Sequence, residues 1–164
     1  MLSPQRNDKI RILVAEDDAG TRLLYDEGLF DQIFDKKMVV SGREAMLAYE
    51  EWHPDIMILD IYMPEMTGYQ VLKEIRTIIG DKQTTIVMAT ALNGKDDVLS
   101  CIKLGIEGYI IKPCSLLQIL TKILGYYSKK DHLGVQQADA VCRDAVKQYQ
   151  AKLLSCNDKL IETV

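Results

Sequence analysis

Five short apolar runs constrain this chain more than any other feature. Residues 10–15, 38–40, 56–59, 85–89 and 109–111 are rich in Ile, Val, Leu and Met and do not alternate with polar residues. A strand with one face in water alternates, whereas a strand covered on both faces reads as a continuous run. Longer segments with helical spacing separate the runs, at residues 21–33, 43–52, 69–79, 96–104 and 115–127. The first places Leu23, Leu24, Leu29, Phe30 and Ile33 on one broad face, and the last does the same with Leu116, Leu117, Ile119, Leu120, Ile123 and Leu124. Strands that alternate with helices, through connections too long for hairpins, predict right-handed crossovers. The expected fold is therefore of the α/β class, a doubly wound five-stranded parallel sheet. Sites in such sheets form at the carboxyl ends of the strands, near a topological switch point.

The residues at those ends are informative. Glu16-Asp17-Asp18 follow the first run, Asp60 the third, Thr90 and the small Ala91 the fourth, and Lys112-Pro113 the fifth. Clustered carboxylates repel one another unless a cation relieves them. An all-oxygen donor set suits Mg²⁺, which keeps several waters and accepts a phosphate oxygen, and Mn²⁺ is a possible substitute. A carboxylate beside such an ion can attack a phosphoryl group and carry it as an acyl phosphate. Lys112 would balance the added charge, and the Thr90 hydroxyl would donate to a phosphoryl oxygen. No Gly-rich phosphate loop follows the first run, which argues against the usual mononucleotide sites. Asp18 is read as a helix N-terminal residue. Pro64 and Gly68 are read as loop geometry, and Trp52 and His53 as helix-end packing and loop.

The pattern V-A-E-D-D, I-L-D-I-Y-M-P-E-M-T-G, M-A-T-A and G-Y-I-I-K-P resembles the receiver domain of two-component response regulators. The resemblance covers residues 10–127, and the intervals from Asp60 to Thr90 and to Lys112 are like the family's. It implies a flavodoxin-like (βα)5 fold with Asp60 as the phosphoacceptor. It implies Mg²⁺ held by Asp17 directly, by Glu16 through water, by Asp60 and by the Tyr62 backbone carbonyl. Thr90, Ala91 and Lys112 would contact the phosphoryl group, Thr90 and Tyr109 would form the switch, and the bond before Pro113 would be cis. Tyr62 and Leu92 occupy two positions that flank the reaction centre in this family, and both are bulky. They are expected to shield the acyl phosphate from water and lengthen its life.

The resemblance implies a signalling domain and not an enzyme, with only self-catalysed phosphotransfer and slow self-dephosphorylation. The implied donor is a sensor histidine kinase or phosphotransfer protein, and the implied readout is a downstream protein target. Two rival readings stay open. An aspartyl-nucleophile Mg²⁺ phosphatase needs a second acid where Tyr62 stands. A pseudo-receiver used only for interaction is expected to lack Asp17, Asp60 or Lys112, and all three are present. Cys114 stands where the family more often has Phe. Residues 96–127 lack the arginine pattern of regulators that dimerise through their last two helices.

Composition bounds the setting. The 164 residues suit an N-terminal extension (1–8), a receiver domain (9–128) and an appendage (129–164). A formal net charge of −4 argues against direct nucleic-acid binding. The start of the chain lacks an apolar signal region and no apolar stretch reaches membrane-spanning length, so a cytoplasmic location is expected. The four cysteines lack metal-ligand spacing and are read as small buried hydrophobes. After the polar 128–131, positions 135, 139, 142, 146, 149, 153, 156 and 160 repeat at alternating intervals of four and three, and all but Asp139 are apolar. They outline an amphipathic C-terminal helix of ~39 Å. It would serve in a coiled-coil homodimer, in docking on its own receiver or a partner, or as a connector to an output domain.

Overall fold

The computed structural model describes residues 9–91 and 95–130, together with Arg143 and Lys147. The expected N-terminal extension, Leu92 and, apart from Arg143 and Lys147, the expected C-terminal helix fall outside the described residues. In chain order the elements are β1 (Ile10–Ala15), α1 (Ala19–Gly28), β2 (Phe34–Val39), α2 (Gly42–Trp52) and β3 (Ile56–Asp60). They continue with α3 (Gly68–Lys73), which runs on as a π-helical segment (Glu74–Ile79), then β4 (Thr85–Ala91), α4 (Lys95–Leu104), β5 (Gly108–Lys112) and α5 (Leu116–Tyr127). All strand pairs are parallel and the order is β2-β1-β3-β4-β5. This is the doubly wound five-stranded sheet read from the sequence. The direction of winding reverses between β1 and β3.

Two cores flank the sheet. Ile12, Val14, Ile58, Val87 and Ile110 face α1 and α5, where Tyr25, Leu29, Ile119, Leu120 and Ile123 close the layer. Leu13, Met57, Leu59, Ile86 and Met88 face the other side, covered by Ala45 and Ala48 of α2, Val71 and Leu72 of α3, Ile75 and Cys101. The three central strands are buried nearly throughout. Apolar cover on both faces is the reason for their unbroken runs.

The sequence reading needs correction where local signals were mixed. The first helix was expected to run to Ile33, but it ends at Gly28 with Leu29 as its cap. A turn closed by Ile33 N–H and Phe34 N–H donating to the Phe30 carbonyl follows. Leu29, Ile33 and Phe34 are buried, so the apolar spacing marked core and not helix. The second strand starts at Phe34 and not at 38. It is an edge strand, and Asp35-Lys36-Lys37 break its apolar run while blunting the edge against foreign pairing. The third helix changes to π-helical winding at Glu74, which buries Ile75 and Arg76 and turns Ile78 outward.

The strands carrying the candidate site are longer than their apolar runs. Asp60 is the last residue of β3 and pairs with Ala89; Thr90 pairs with Ile111, and Ala91 with Lys112. These residues are held by ladder hydrogen bonds, not by loops. At the opposite, amino-terminal edge, the guanidinium of Arg76 donates to the carbonyls of Gly105, Asp81 and Thr84 and pairs with Glu107 at 3.0 Å. Glu107 also accepts from Ile86 N–H and pairs with Lys130, whose ammonium donates to the carbonyls of Lys82, Gln83 and Thr84.

Candidate functional site

The acidic loop after β1 is fixed from both sides. Glu16 N–H donates to the Val39 carbonyl, and Arg22 of α1 reaches back to donate to the carbonyls of Glu16 (2.9 Å) and Asp17 (2.7 Å). Asp18 caps α1, its carboxylate accepting from the Thr21 N–H and hydroxyl, both at 2.7 Å. The Thr21 hydrogen bonds hold that carboxyl below its ordinary range. Asp18 is thus the helix-capping residue expected from the sequence.

At the switch point the sheet gathers Glu16, Asp17 and Asp60, each with a carboxylate oxygen within 4.8 Å of the others. Glu16 is 1% exposed and Asp60 7%, while Asp17 stands in solvent. Lys112 bridges the two buried acids, 2.5 Å from Glu16 Oε2 and 3.1 Å from Asp60 Oδ2. Glu16 Oε1 accepts from Asp18 N–H at 3.2 Å. Burial pushes the Glu16 carboxyl up, the Lys112 hydrogen bond opposes that, and the charge of Asp60 adds to the rise. Burial alone would lower the Lys112 ammonium, but its hydrogen bond to Glu16 and the charge of Asp60 leave it raised. The rise of Lys112 reflects the negative charge of the two acids around it, whereas that of Glu16 reflects burial first. Hard oxygens only, two of the acids buried and one open to water, form a donor set that fits Mg²⁺.

The loop after β3 is built around close backbone approach. Gly68 N–H donates to the Ile61 carbonyl, and a Cβ on Gly68 would lie 2.1 Å from the Asp60 carbonyl oxygen. Gly68 is therefore needed for proximity, and its φ is not positive. Between them Met66 N–H donates to the Pro64 carbonyl at 2.7 Å around Glu65, whose φ is 65°. That is a γ-turn with a strained non-glycine residue at its centre. Thr67 then starts α3 with a capping box to Gln70.

The remaining predicted residues are placed as follows. Thr90 is buried and its hydroxyl donates to the Ala91 carbonyl at 3.1 Å. The Lys112–Pro113 peptide bond is cis. The Tyr109 ring faces outward, with the Lys122 ammonium 5.9 Å from its centroid, and its carbonyl accepts from the Tyr126 hydroxyl. Tyr62 lies in the loop between β3 and α3. It is 62% exposed, and its hydroxyl donates to Asp97 Oδ2 of α4 at 2.5 Å.

Three residues at or beside the site escaped the sequence reading: Arg22, Tyr25 and Asp97. Arg22 sits one helical turn after Asp18, a spacing that hinted at a link to the acidic loop. Tyr25 is fully buried on α1, and its hydroxyl has no hydrogen-bond partner among the described residues. Burial first, then the charges of Cys114, Glu16 and Asp60, push its phenol far up. Nothing in the spacing distinguished Tyr25 from an ordinary core aromatic.

Fold and pocket together define the class: a flavodoxin-like doubly wound sheet with a carboxylate–lysine pocket at its switch point. The chain belongs to the response regulator receiver domain family, which matches residues 12–124. It is 34% identical over 114 residues to the chemotaxis protein CheY of Bacillus subtilis (strain 168), covering 69% of this chain and 93% of that protein. It is 31% identical over 123 residues to the probable transcriptional regulator ycf27 of Porphyridium aerugineum, covering 75% of this chain and 50% of that protein. The chain thus spans about half the length of the ycf27 relatives it matches. Among solved structures, the signal receiver domain of the putative Luxo repressor protein from Vibrio parahaemolyticus superposes with a TM-score of 0.68 at 28% identity, covering 81% of this chain and 97% of that one. The chemotaxis response regulator CheY4 of Vibrio cholerae gives 0.63 at 26% identity, covering 70% and 98%.

Proposed function

We propose that this receiver domain takes a phosphoryl group onto Asp60 from a sensor histidine kinase or phosphotransfer protein, with Mg²⁺. Phosphorylation would switch a protein-interaction surface in the cytoplasm. The observation that carries this reading is the convergence of three carboxylates within 4.8 Å, two of them bridged by Lys112. Glu16, Asp17, Asp60 and the Tyr62 carbonyl are the residues that would hold the ion. When bound, it neutralises the phosphoryl oxygens and the crowded acids. An Asp60 carboxylate oxygen forms the new bond to phosphorus. The bond from phosphorus to the donor imidazole nitrogen breaks, and the nitrogen leaves with the electron pair and takes up a proton. Lys112, which pairs with Asp60, would follow the added negative charge. Thr90 and Ala91, held in the β4 ladder, would contact the phosphoryl oxygens. Transfer shifts a two-state equilibrium through Thr90 and Tyr109, and the surface of α4, β5 and α5 reads it out.

The test is incubation with acetyl phosphate and Mg²⁺ followed by intact mass measurement. Expected is a gain of one phosphoryl group that EDTA and Asp60→Asn abolish. No gain, or a gain that survives Asp60→Asn, overturns the proposal. Measuring oligomeric state on the same samples decides whether phosphorylation drives a homodimer.

A further inference from the structure

Tyr62 is a large aromatic left mostly in solvent, so apolar burial does not place its ring. Its hydroxyl is committed to Asp97 Oδ2 at 2.5 Å, the length of a charge-assisted O–H···O⁻ bond. The two residues belong to different segments at the carboxyl edge of the sheet. Tyr62 follows Asp60 in the loop after β3, while Asp97 stands in the first turn of α4, where the helix dipole favours a carboxylate. The packing that holds α4 is thin. Cys101 is its one fully buried side chain among the described residues, whereas Leu99 is 57% and Ile102 50% exposed.

We infer that Tyr62 and Asp97 form a tether that holds the first turn of α4 to the phosphoacceptor loop in the resting state. Tyr62 is then a positioning residue for α4, acting through its side chain, while its carbonyl remains available at the acid pocket. The resting assignment follows from Lys112 being paired with Glu16 and Asp60 themselves, and from the Thr90 hydroxyl being turned to Ala91. A bond made in the resting arrangement opposes any motion of α4 that separates the two residues. Breaking it therefore biases the equilibrium toward the phosphorylated arrangement. The kinetic part of this inference rests on the proposed phosphoacceptor role; the structural part does not.

The test uses the full chain without a phosphodonor. Amide hydrogen exchange over residues 98–104 should quicken about threefold in Tyr62→Phe, which keeps the ring and removes only the donor. Asp97→Ala should match it, Asp97→Asn should fall between wild type and Asp97→Ala because its amide oxygen still accepts but carries no charge, and the double variant Tyr62→Phe/Asp97→Ala should add nothing to either single change. Unchanged exchange in Tyr62→Phe, or additive effects in the double variant, overturns the tether. Labelling by acetyl phosphate should also quicken about threefold in Tyr62→Phe, and slower labelling overturns the resting assignment. The exchange measurement decides the tether whether or not Asp60 accepts phosphate, so the two proposals fail separately.

Discussion

At the scale of single residues, two side-chain positions show how closely the site is set against the core. Tyr25 buries a hydroxyl with no partner among the described residues, close enough to Glu16 and Asp60 to feel their charge. An unmet buried hydroxyl costs about 1–3 kcal/mol. Tyr25→Phe is expected to raise stability by about 1 kcal/mol, seen as a higher urea midpoint at unchanged slope. Gly68 has the opposite character, since any Cβ there meets the Asp60 carbonyl oxygen. Gly68→Ala should displace the end of β3 and slow labelling of Asp60 by at least about tenfold, as misplacements near 1 Å do. The acids, Thr90 and Lys112 were legible in the sequence because charge at the end of an apolar run is conspicuous. Tyr25 and Asp97 were not legible. An aromatic on a helical face and an acid in a first turn are both common, and only three-dimensional placement shows what each touches.

At the scale of elements, helix ends and the buried ion cluster carry the testable content. His53 caps α2 in the left-handed region, with φ 49°, where a side chain is strained. His53→Gly should stabilise the protein by about 1 kcal/mol in a denaturant titration. Arg76, reached through the π-helical segment, depends on Glu107 for its only carboxylate partner among the described residues. Glu107→Ala would strand that buried guanidinium and should lower stability by about 3 kcal/mol, measured in the same way. The π-helical turn itself was hidden. A heptad-like run of Leu72, Ile75, Ile78 and Ile79 reads as one helix face, and the local widening that sends Ile78 outward has no apolar signature. The edge strand β2 was half hidden for a related reason, because the pattern expected of a buried strand does not apply at an edge.

At the scale of the whole molecule, the topology was readable because burial on both faces leaves strands no polar positions to spare. The same arrangement sets how the fold responds to acid. Burial pushes the Asp81 carboxyl up, but hydrogen bonds from the Thr84 hydroxyl, Gln83 N–H, Tyr49 hydroxyl and Thr84 N–H outweigh it and hold it at about 2. A group lowered on folding contributes stability that is complete above its unfolded value, near about 4, and lost as pH falls through its folded value. Unfolding midpoints should therefore fall between about pH 4 and pH 2, and Asp81→Asn should flatten that part of the profile by about 1 kcal/mol.

Strand β5 begins just after Glu107 and ends at Lys112. One end touches Asp60, and the other, through Glu107, touches Lys130, the last described residue of the continuous chain. Those ends lie ~16 Å apart along a single extended rod. Lys130 is thereby moored on the far wall, to the same beam that ends in the pocket. A displacement of Lys112 in the pocket therefore has a direct mechanical path to Lys130.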